Sequence, residues 1–496
     1  INEIGIPVAL PSLEDYFPDW KEREALAEAM IPLIGQLYRK NVVVYCYGRA
    51  LYNQSVTRLM KAHRYVRQLA QNELSEFETY PILVALSKLN LGPCHIDLGK
   101  LASKIIDDPK ADEIDIDEFV KAQCEKVIDQ TNPPLVKPQD VVLYGFGRIG
   151  RLLARLLIEK TGGGTQLRLK AIVVRKSGSD DLMKRAGLLR RDSVHGSFQG
   201  TIRVDEENQC IIANGNVIRV IYASNPDEVD YAVYGISDAI IIDNTGAWKD
   251  EEGLSRHLKS NGASRVILTA PGSGKVKNIV AGINNDQIEA QDSILAAASC
   301  TTNAIVPVLK AVNDQFGIIN GHMETVHAYT NDQNLIDNFH KKNRRGRGAP
   351  LNMVITETGA SSAVTKLLPE LEGKLTGNAI RVPTPNVSLA ILNLTLSQVT
   401  TTEEISDFLR ESALHGKLQR QIDFTTSPDI VSSDLVGNRH ACIVDGEATI
   451  VKEDRVVLYV WYDNEFGYSC QVIRVVQKMA GIKYPLIPED AEEMGF

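Results

Sequence analysis

The sequence has few aromatic residues, few cysteines and no long apolar run. Aromatic residues make up 6% of the 496 positions, and seven cysteines are scattered along the chain. Because an odd number of dispersed cysteines does not form a disulfide framework in a chain of this size, we expect a reduced, cytoplasmic protein. No apolar run approaches the length of a transmembrane helix and no signal peptide is visible, so we expect neither a membrane span nor a cleaved leader.

The sequence also lacks an excess of positive charge. Its formal net charge is −9, which argues against nucleic acid or an acidic membrane surface as a partner of the whole chain. What is present is ordinary globular composition, with 44% hydrophobic and 24% charged residues. A chain of this length predicts two or three domains.

Residues 1–135 are predicted to form a helical N-terminal extension and a linker. Apolar residues recur every three to four positions over 26–37 and 52–69, and further helices are expected near 81–90 and 119–130. The run Thr131-Asn132-Pro133-Pro134 breaks this pattern and is interpreted as the linker.

Two features of the extension allow competing interpretations. The basic residues Lys61, His63, Arg64 and Arg67 lie close together on one helix, and we favour a solvated face over an anion site. The pair Cys94-His95 is interpreted as structural, because no second Cys/His pair stands at metal-ligand spacing.

A strand, a glycine-rich turn and a helix follow the linker. The apolar run 141–144 precedes the motif GFGRIG at residues 145–150, and 151–159 has a helical pattern. In this context Gly145 makes a tight turn, Gly147 lets the backbone approach a pyrophosphate, and Gly150 allows helix and strand to pack closely. The helix N-terminus faces the anion, so the motif predicts dinucleotide binding.

The second predicted strand, 167–174, ends in Arg175 instead of the acidic residue that binds the ribose hydroxyls of NAD. An arginine there removes a carboxylate that would repel a 2′-phosphate and supplies a partner for it. We therefore expect NADP or NAD as cofactor, with NADP or dual use favoured. The alternative is that Arg175 only caps the strand in solvent.

Further strands alternate with helical stretches. Strands are expected at 217–222, 239–242, 265–269 and 278–281, and a helical stretch at 254–260. This alternation predicts a Rossmann-type, doubly wound parallel sheet in an α/β protein. Thr245, Gly246 and Thr269 fall at strand ends, where such sheets bind ligands.

Cys300 lies between a predicted strand, 294–298, and a predicted helix, 304–316. Unpaired backbone N–H groups and the positive end of the helix dipole favour a thiolate at such a position. The alternative is a small buried apolar residue. His327 ends a β-type run at 323–326 and is either the base for this cysteine or a buried core histidine.

Three groups of anion-binding residues follow His327. They are the basic loop 341–348, the hydroxyl-rich segment 356–360 and the segment 381–385, which begins with an arginine. In an acidic protein they suggest a phosphorylated substrate. A last strand is expected at 456–462, followed by a helix through Met479.

Together these motifs resemble the phosphorylating glyceraldehyde-3-phosphate dehydrogenase family. The motifs are GFGRIG, DSVHG, ASCTTN, HAYTNDQ, TETGA, RVPTPN and YDNEFGYS, in the family's order over about residues 140–482. The resemblance implies a dinucleotide-binding domain at 136–298, to which 463–496 return, and an α+β catalytic domain at 299–462. The extension lies outside the family pattern. It is interpreted as an added structural layer, with binding of a partner or effector as the alternative.

The resemblance also implies roles for individual residues. Cys300 is expected to be the nucleophile and His327 its base. The substrate's C3 phosphate is expected at Thr330 and Arg381. Attacking inorganic phosphate is expected at Ser299, Thr301, Arg344, Thr358 and Gly359. The cofactor is expected along Arg148 and Ile149, with Asn464 holding the nicotinamide carboxamide and Tyr468 lining its pocket.

The implied reaction is reversible oxidation of glyceraldehyde 3-phosphate to 1,3-bisphosphoglycerate, through a thiohemiacetal and a thioester on cysteine. The resemblance also implies a homotetramer and no metal. Two departures favour NADP: Arg175 replaces an acidic residue, and Asn338-Phe339 stand where NAD-preferring members often carry Leu-Pro. The alternatives are an erythrose-4-phosphate dehydrogenase and a non-enzymatic binding protein on the same fold.

Overall fold

The computed structural model describes residues 14–489, apart from residues 71, 73, 131 and 134 and the side chain of residue 112. Two residues of the predicted linker, Thr131 and Pro134, therefore lie outside the described residues, as do 1–13 of the extension and 490–496 of the returning segment. Within the described part, contacts divide the chain into two compact units. The first comprises 14–138, 161–166 and 482–489, and the second comprises 139–160 and 167–481.

The first unit contains the predicted helices. Their bounds are Tyr16–Arg39, Val56–Ala70, Glu76–Lys88, Leu98–Ile106 and Ile116–Gln123, with 3-10 turns at Ala111–Glu113 and Glu125–Val127. Ser75 begins one helix with a capping box, and Asp97 and Asp115 cap two others, because their side chains accept backbone N–H groups of the first turn. The helical region expected from the sequence is confirmed.

The predicted basic face of the helix Val56–Ala70 is only partly solvated. Lys61 and Arg64 are exposed, as the sequence predicts. His63 is instead buried, with Nε2 2.8 Å from Thr79 Oγ1 and Nδ1 2.9 Å from the Leu59 carbonyl oxygen. It belongs to the apolar face, since it lies four residues after Leu59 and three before Val66.

The first unit also contains a small sheet that the sequence did not predict. Its described strands run in the spatial order Arg49–Ala50, Val42–Cys46, Cys94–Asp97 and Leu486–Ile487. Val42–Cys46 and Leu486–Ile487 both pair in parallel with Cys94–Asp97. Cys94 is fully buried in this sheet, which agrees with its structural interpretation.

Residues 482–489 join this unit through several contacts. Tyr484 stacks on His95 with ring centroids 4.3 Å apart, and His95 N donates to Pro485 O at 2.9 Å. Lys126 Nζ lies 2.6 Å from Glu489 Oε2. This grouping differs from the predicted return of 463–496 to the cofactor domain. The other predicted bounds, 136–298 and 299–462, stay predictions.

The second unit contains the predicted parallel sheet. Its described strands follow the spatial order Lys277–Asn278, Ile294–Ala296, Ala263–Leu268, Ala239–Asp243, Gln139–Tyr144, Leu167–Val174, Asn216–Tyr222, Cys210–Ala213 and Ile202–Asp205. Pairing is parallel up to Asn216–Tyr222 and antiparallel beyond it. The α/β class is confirmed. The predicted strand 278–281 is wrong beyond residue 278, because the chain there turns around the Asn284 side chain, which accepts Val280 N at 2.8 Å.

Helices and turns accompany this sheet. The helices are Arg148–Glu159, Asp181–Arg190, Glu251–Ser255 and Phe466–Met479, and the 3-10 turns are Pro226–Glu228, Ala232–Tyr234, Arg256–Lys259 and Asn285–Gln287. The short strands Arg191–Asp192 and Gly196–Ser197 pair with each other. Phe466–Met479 packs against Arg148–Glu159, so the last helix lies beside the glycine-rich turn.

A second sheet carries the catalytic part. Its described strands follow the order Val354–Thr356, Leu375–Val382, Ile318–Ala328, Ser388–Leu396, Arg455–Tyr462, Cys442–Asp445 and Ile422–Thr425, and Ile450–Lys452 pairs with Arg455–Tyr462. The helices are Cys300–Phe316, Ala360–Leu367 and Thr402–Leu414, with 3-10 turns at Pro369–Leu371 and Ser432–Leu435. Among the described helices, none has the length and apolar character that crossing a membrane requires.

We predict that Tyr484→Ala destabilises the first unit, because it removes a buried ring that stacks on His95. Loss of a buried aromatic side chain costs about 3 kcal/mol. Thermal unfolding should shift to lower temperature, and amides of Cys94–Asp97 should exchange faster with deuterated water. Lys483→Ala is the control, because Lys483 is exposed. Equal stability of the two variants would contradict the role given to residues 482–489.

Candidate active site

A left-handed turn at Ala298 connects a strand to the helix that begins at Cys300. Ala298 has φ of +54°, which is unfavourable for a residue with a Cβ. Hydrogen bonds hold the turn: Tyr468 OH donates to Ala298 O at 2.9 Å, and Asn303 Nδ2 donates to Ala297 O at 2.8 Å. Ser299 caps the helix by accepting Thr302 N at 3.0 Å. The turn therefore fixes Cys300 at the helix N-terminus.

His327 faces this cysteine. Its Nε2 lies 3.5 Å from Cys300 Sγ, and its Nδ1 lies 2.7 Å from the Ala328 carbonyl oxygen. Arg381 Nη1 is 2.9 Å from both Nδ1 and that oxygen. Because arginine only donates, Nδ1 cannot accept from it while donating to Ala328. We assign the proton to Nδ1, which leaves the Nε2 lone pair facing the thiol.

Burial shifts the pKa of both groups of this pair toward the neutral form. Burial raises the pKa of the Cys300 thiol, and this effect outweighs the opposing charge of Arg381 and the Thr301 hydrogen bonds. Burial, with the Arg381 charge, lowers the pKa of His327 to about 3. Burial therefore opposes the effect expected of the helix N-terminus, and the thiolate at Cys300 stays a prediction. A helix dipole contributes about 0.3–1 kcal/mol, less than the burial of a charge costs.

Cationic and hydroxyl groups surround His327. Arg381 Nη1 donates to Thr330 Oγ1 at 3.1 Å, and the Thr330 hydroxyl donates to Asp332. Arg345 Nη1 lies 2.8 Å from the other oxygen of Asp332, and Arg345 Nε donates to Thr356 Oγ1 at 3.1 Å. Arg345 pairs directly with Asp332, whereas Arg381 is connected to it only through the Thr330 hydroxyl. Two guanidinium groups thus accompany one carboxylate, so the cluster keeps positive charge for an anion.

Arg345, and not Arg344, is the arginine that the structure places in this cluster. Arg344 is exposed and has φ of +68°, whereas Arg345 is half-buried. The charge of Arg345 is also one of the effects that lower the pKa of His327. The expected contact of Arg344 with inorganic phosphate stays a prediction, and the structure offers the adjacent Arg345 as a second candidate. Asp332, in the HAYTNDQ motif, was not expected to take part.

The other predicted phosphate ligands lie at two helix starts. Thr301 Oγ1 is 3.0 Å from Tyr462 OH, which is 2.6 Å from Thr325 Oγ1. Thr358 Oγ1 accepts Ala360 N at 3.2 Å, where the helix Ala360–Leu367 begins. Gly359 is exposed, and a Cβ there would meet nothing within 4 Å. The backbone around Gly359 is thus accessible to an anion.

The glycine-rich turn has the local geometry that a dinucleotide requires. Gly145 has φ of +94°, a conformation that favours glycine. A Cβ on Gly147 would meet nothing within 4 Å, so this position leaves open space beside the backbone. A Cβ on Gly150 would lie 2.5 Å from the Gly145 carbonyl oxygen, so helix and turn pack closely. Each glycine fits its predicted role, and a pyrophosphate fits beside Gly147.

Neighbouring strand ends meet this turn. Asn244 Nδ2 donates to Gly145 O at 3.2 Å, and Thr269 Oγ1 lies 3.2 Å from Asn244 Oδ1. Thr245 is held by buried Asp243, which accepts both its N–H and its hydroxyl at 2.7 Å. Gly246 follows with φ of +63° and open space at its Cβ position. The structure therefore brings these predicted cofactor residues together.

The Arg148 guanidinium is paired with two carboxylates. It forms paired hydrogen bonds with Glu465, both 2.6 Å, and with Asp192, at 3.0 and 3.2 Å. Burial would raise the pKa of Glu465, but hydrogen bonds from His195 and Arg148 outweigh it and lower that pKa. The groups left for the cofactor at this helix start are the backbone of Arg148 and half-buried Ile149, and their place along the cofactor stays a prediction.

Asn464 and Tyr468 flank the start of the last helix. Asn464 is buried, and its Oδ1 accepts the Ser388 hydroxyl at 2.9 Å, which fixes the orientation of the amide. Tyr468 is buried with its hydroxyl on Ala298 O. Tyr468 therefore supports the turn before Cys300, a contact that the sequence-based role for it did not include.

The loop after Leu167–Val174 carries positive charge at its surface. Arg175 is exposed, and Lys176 Nζ lies 5.3 Å from the centre of the Tyr222 ring. Arg185 donates to the Arg175 carbonyl oxygen at 2.8 Å and pairs with Asp181 at 3.0 Å. The Arg175 guanidinium is therefore presented to solvent at the end of the strand, where a ribose would lie.

Sequence profiles of two domains match this chain. A profile described as "Glyceraldehyde 3-phosphate dehydrogenase, NAD binding domain" matches residues 139–251. A second, described as "Glyceraldehyde 3-phosphate dehydrogenase, C-terminal domain", matches residues 299–464. The matched ranges contain the glycine-rich turn in the first case, and Cys300, His327 and Asn464 in the second.

Individual proteins are similar over different shares of the chain. A "Glyceraldehyde-3-phosphate dehydrogenase-like protein" of Pseudomonas aeruginosa is 63% identical over 462 residues, which cover 92% of this chain and 100% of that protein. "Glyceraldehyde-3-phosphate dehydrogenase 2" of Bacillus subtilis is 37% identical over 348 residues, 70% of this chain and 98% of its own length. A plasmid-encoded "Glyceraldehyde-3-phosphate dehydrogenase" of Cupriavidus necator is 38% identical over 68% of this chain and 98% of its own. The Pseudomonas protein therefore shares much of the N-terminal extension.

Proposed function

The chain belongs to the glyceraldehyde-3-phosphate dehydrogenase family, and we propose that it catalyses the reversible oxidative phosphorylation of glyceraldehyde 3-phosphate with NAD(P). The observation that carries this proposal is the placement of Cys300 Sγ 3.5 Å from His327 Nε2, beside a cluster of two arginines. A thiol with an adjacent base suits addition to an aldehyde, and the arginines suit phosphate groups.

His327 starts the reaction as a base. Its Nε2 accepts the Cys300 proton as sulfur adds to the aldehyde carbon and passes it to the carbonyl oxygen, which gives a hemithioacetal on the enzyme. Since burial favours the neutral form of both groups, we propose that the pair ionises only as the aldehyde arrives. When bound, NAD(P) would accept the hydride of this hemithioacetal, and His327 Nε2 would accept its hydroxyl proton, which leaves a thioester.

The anion cluster favours phosphorolysis over hydrolysis. Arg381 and Thr330, which are 3.1 Å apart, are suited to hold the phosphate that the substrate already carries. Arg345, Thr358 and Gly359, with the Ser299 and Thr301 hydroxyls, are suited to hold inorganic phosphate as it attacks the thioester. Attack by phosphate releases an acyl phosphate and returns Cys300 to its starting form.

We also propose that the protein assembles as a homotetramer, as the family resemblance implies. Large apolar side chains near the basic loop are strongly exposed, between 76% and 89%: Leu335, Ile336, Phe339, Leu351 and Met353. Large apolar side chains that are strongly exposed in one monomer are typical of an interface between subunits.

The function is tested with Cys300→Ser. We expect the wild-type protein to oxidise glyceraldehyde 3-phosphate in the presence of phosphate and cofactor, and the variant to lose about a thousandfold or more in kcat, because the hydroxyl is a weaker nucleophile. Cys210→Ser is the control, since Cys210 lies in a peripheral strand of the cofactor sheet. Full activity of Cys300→Ser would contradict the chemistry. Faster turnover of erythrose 4-phosphate would favour that substrate instead.

Adjacent arginines give a matched test of the phosphate site. Arg345→Gln should raise the KM for inorganic phosphate about tenfold, the effect of losing one charge-assisted hydrogen bond. Arg344→Gln should leave that KM within about twofold, because a surface charge contributes little. Initial rates at varied phosphate concentration measure both. If Arg344→Gln has the larger effect, the assignment of Arg345 fails.

Cofactor preference is tested at Arg175. We expect NADP to be used at least as well as NAD, because the exposed guanidinium is available to a 2′-phosphate. Arg175→Asp should shift the ratio of kcat/KM values toward NAD by about tenfold or more, ~1.4 kcal/mol. Lys249→Asp changes the charge equally at another exposed position and serves as control. A wild-type preference for NAD beyond about tenfold would defeat the proposal.

A further inference from the structure

The side chains of Arg148, Asp192, His195 and Glu465 form a network that the proposed chemistry does not use. Arg148 bonds through both edges of its guanidinium, to Glu465 and to Asp192. His195 Nε2 lies 2.9 Å from Glu465 Oε2, the oxygen that also accepts Arg148 Nη2. Asp192 accepts the backbone N–H groups of Val194 and His195 at 3.0 and 2.9 Å. Each charged group therefore has a partner within the network.

The network is built with little freedom. Side-chain exposure is 5% for His195, 6% for Asp192, 12% for Glu465 and 33% for Arg148. Paired hydrogen bonds between a guanidinium and a carboxylate fix relative orientation as well as distance. The four side chains consequently act as one rigid connector between separate segments of the second unit.

The connected segments are the two places where opposite ends of a dinucleotide are expected. Arg148 is the first residue of the helix that follows Gly147 in the phosphate-binding turn. Glu465 follows Asn464 directly, and its N–H donates to Asp463 Oδ1 at 3.0 Å, which also accepts Phe466 N at 2.7 Å. The position of Asn464 is thus tied to the position of Glu465, and through Arg148 to the glycine turn.

We propose that Glu465 is a positioning residue for the cofactor: through Arg148 it holds the glycine turn and Asn464 at the separation that one dinucleotide spans. The inference rests on the proposed function, because a dehydrogenase of this family is expected to hold the nicotinamide carboxamide at Asn464. A ligand that engages two sites at once gains affinity only if their spacing matches its length. Loss of the Arg148–Glu465 contacts removes this gain in affinity, whereas the glycine turn and Asn464 each keep their own contacts with the ligand.

The test compares whole and truncated ligands. Calorimetric dissociation constants are measured for NADP and for 2′-phospho-ADP-ribose, which lacks nicotinamide, and likewise for NAD and ADP-ribose. In Glu465→Gln the dinucleotides should bind about tenfold more weakly, whereas the nicotinamide-free ligands should change by less than about threefold. The cofactor KM should rise with the dissociation constant.

Two further variants separate positioning from charge and from folding. Arg148→Lys keeps the positive charge but cannot form both paired contacts, so it should show the same selective loss. The double variant should bind dinucleotides no more weakly than either single one, since the residues act as a pair. Glu372→Gln, at an exposed position outside the network, is the control and should bind all ligands as the wild type does.

Several results would overturn the inference. If Glu465→Gln weakened the binding of dinucleotides and nicotinamide-free ligands equally, Glu465 would have a general structural role. If it tightened the binding of both equally, only the negative charge of the carboxylate would affect affinity. No change would show that the connector does not set the spacing, and failure of the wild-type protein to bind any of these ligands would remove its basis. A last combination is a wild-type protein that binds the cofactor but oxidises neither glyceraldehyde 3-phosphate nor erythrose 4-phosphate, while Glu465→Gln selectively loses dinucleotide affinity. That combination would contradict the proposed reaction and still support the role of Glu465.

Discussion

The left-handed turn at Ala298 is the constraint on which the site depends. It reverses the chain between the end of a parallel strand and the first turn of a helix, so that Cys300 can face His327 on the other sheet. A strained residue of this kind costs about 1–3 kcal/mol and persists only where surrounding contacts over-determine it. Here those contacts come from both sides: Asn303 belongs to the helix that begins at Cys300, and Tyr468 to the last helix of the second unit.

The electrostatics of the site follow from burial more than from the helix. Burial favours the neutral thiol and the neutral imidazole. Two guanidinium groups, Arg345 and Arg381, accompany the single carboxylate of Asp332, to which Arg345 is bound directly, so this cluster is net positive. The positive charge therefore lies on the two arginines, which would bind phosphate. The two groups that would react, Cys300 and His327, favour their uncharged forms. Such an arrangement protects a nucleophile from side reactions until a polar ligand changes its surroundings.

Local patterns predicted local structure well. Leu167–Val174 is found at the predicted bounds because its buried run of Ile and Val residues strongly favours a strand over other secondary structure. In the glycine turn, each of the three glycines is needed for a different steric reason. Non-local features were missed. Val42–Cys46 pairs with residues about fifty positions away. Arg148 and Glu465 are separated by 317 positions. Arg344 and Arg345 lie in an irregular loop without periodicity, so only backbone dihedral angles decide which one faces His327.

The edge strand Leu486–Ile487 completes the small sheet of the first unit. The ribosome synthesises the other strands of that sheet much earlier. The partners of this edge strand, His95 and Ile96, precede it by roughly 390 positions. At ribosomal rates of about 5–20 residues per second, the first unit waits roughly 20–80 s with the Cys94–Asp97 edge uncovered. During that interval the edge offers backbone hydrogen-bonding groups to any nascent chain nearby. The sheet of the first unit is therefore completed only near the end of synthesis, although most of that unit is synthesised first.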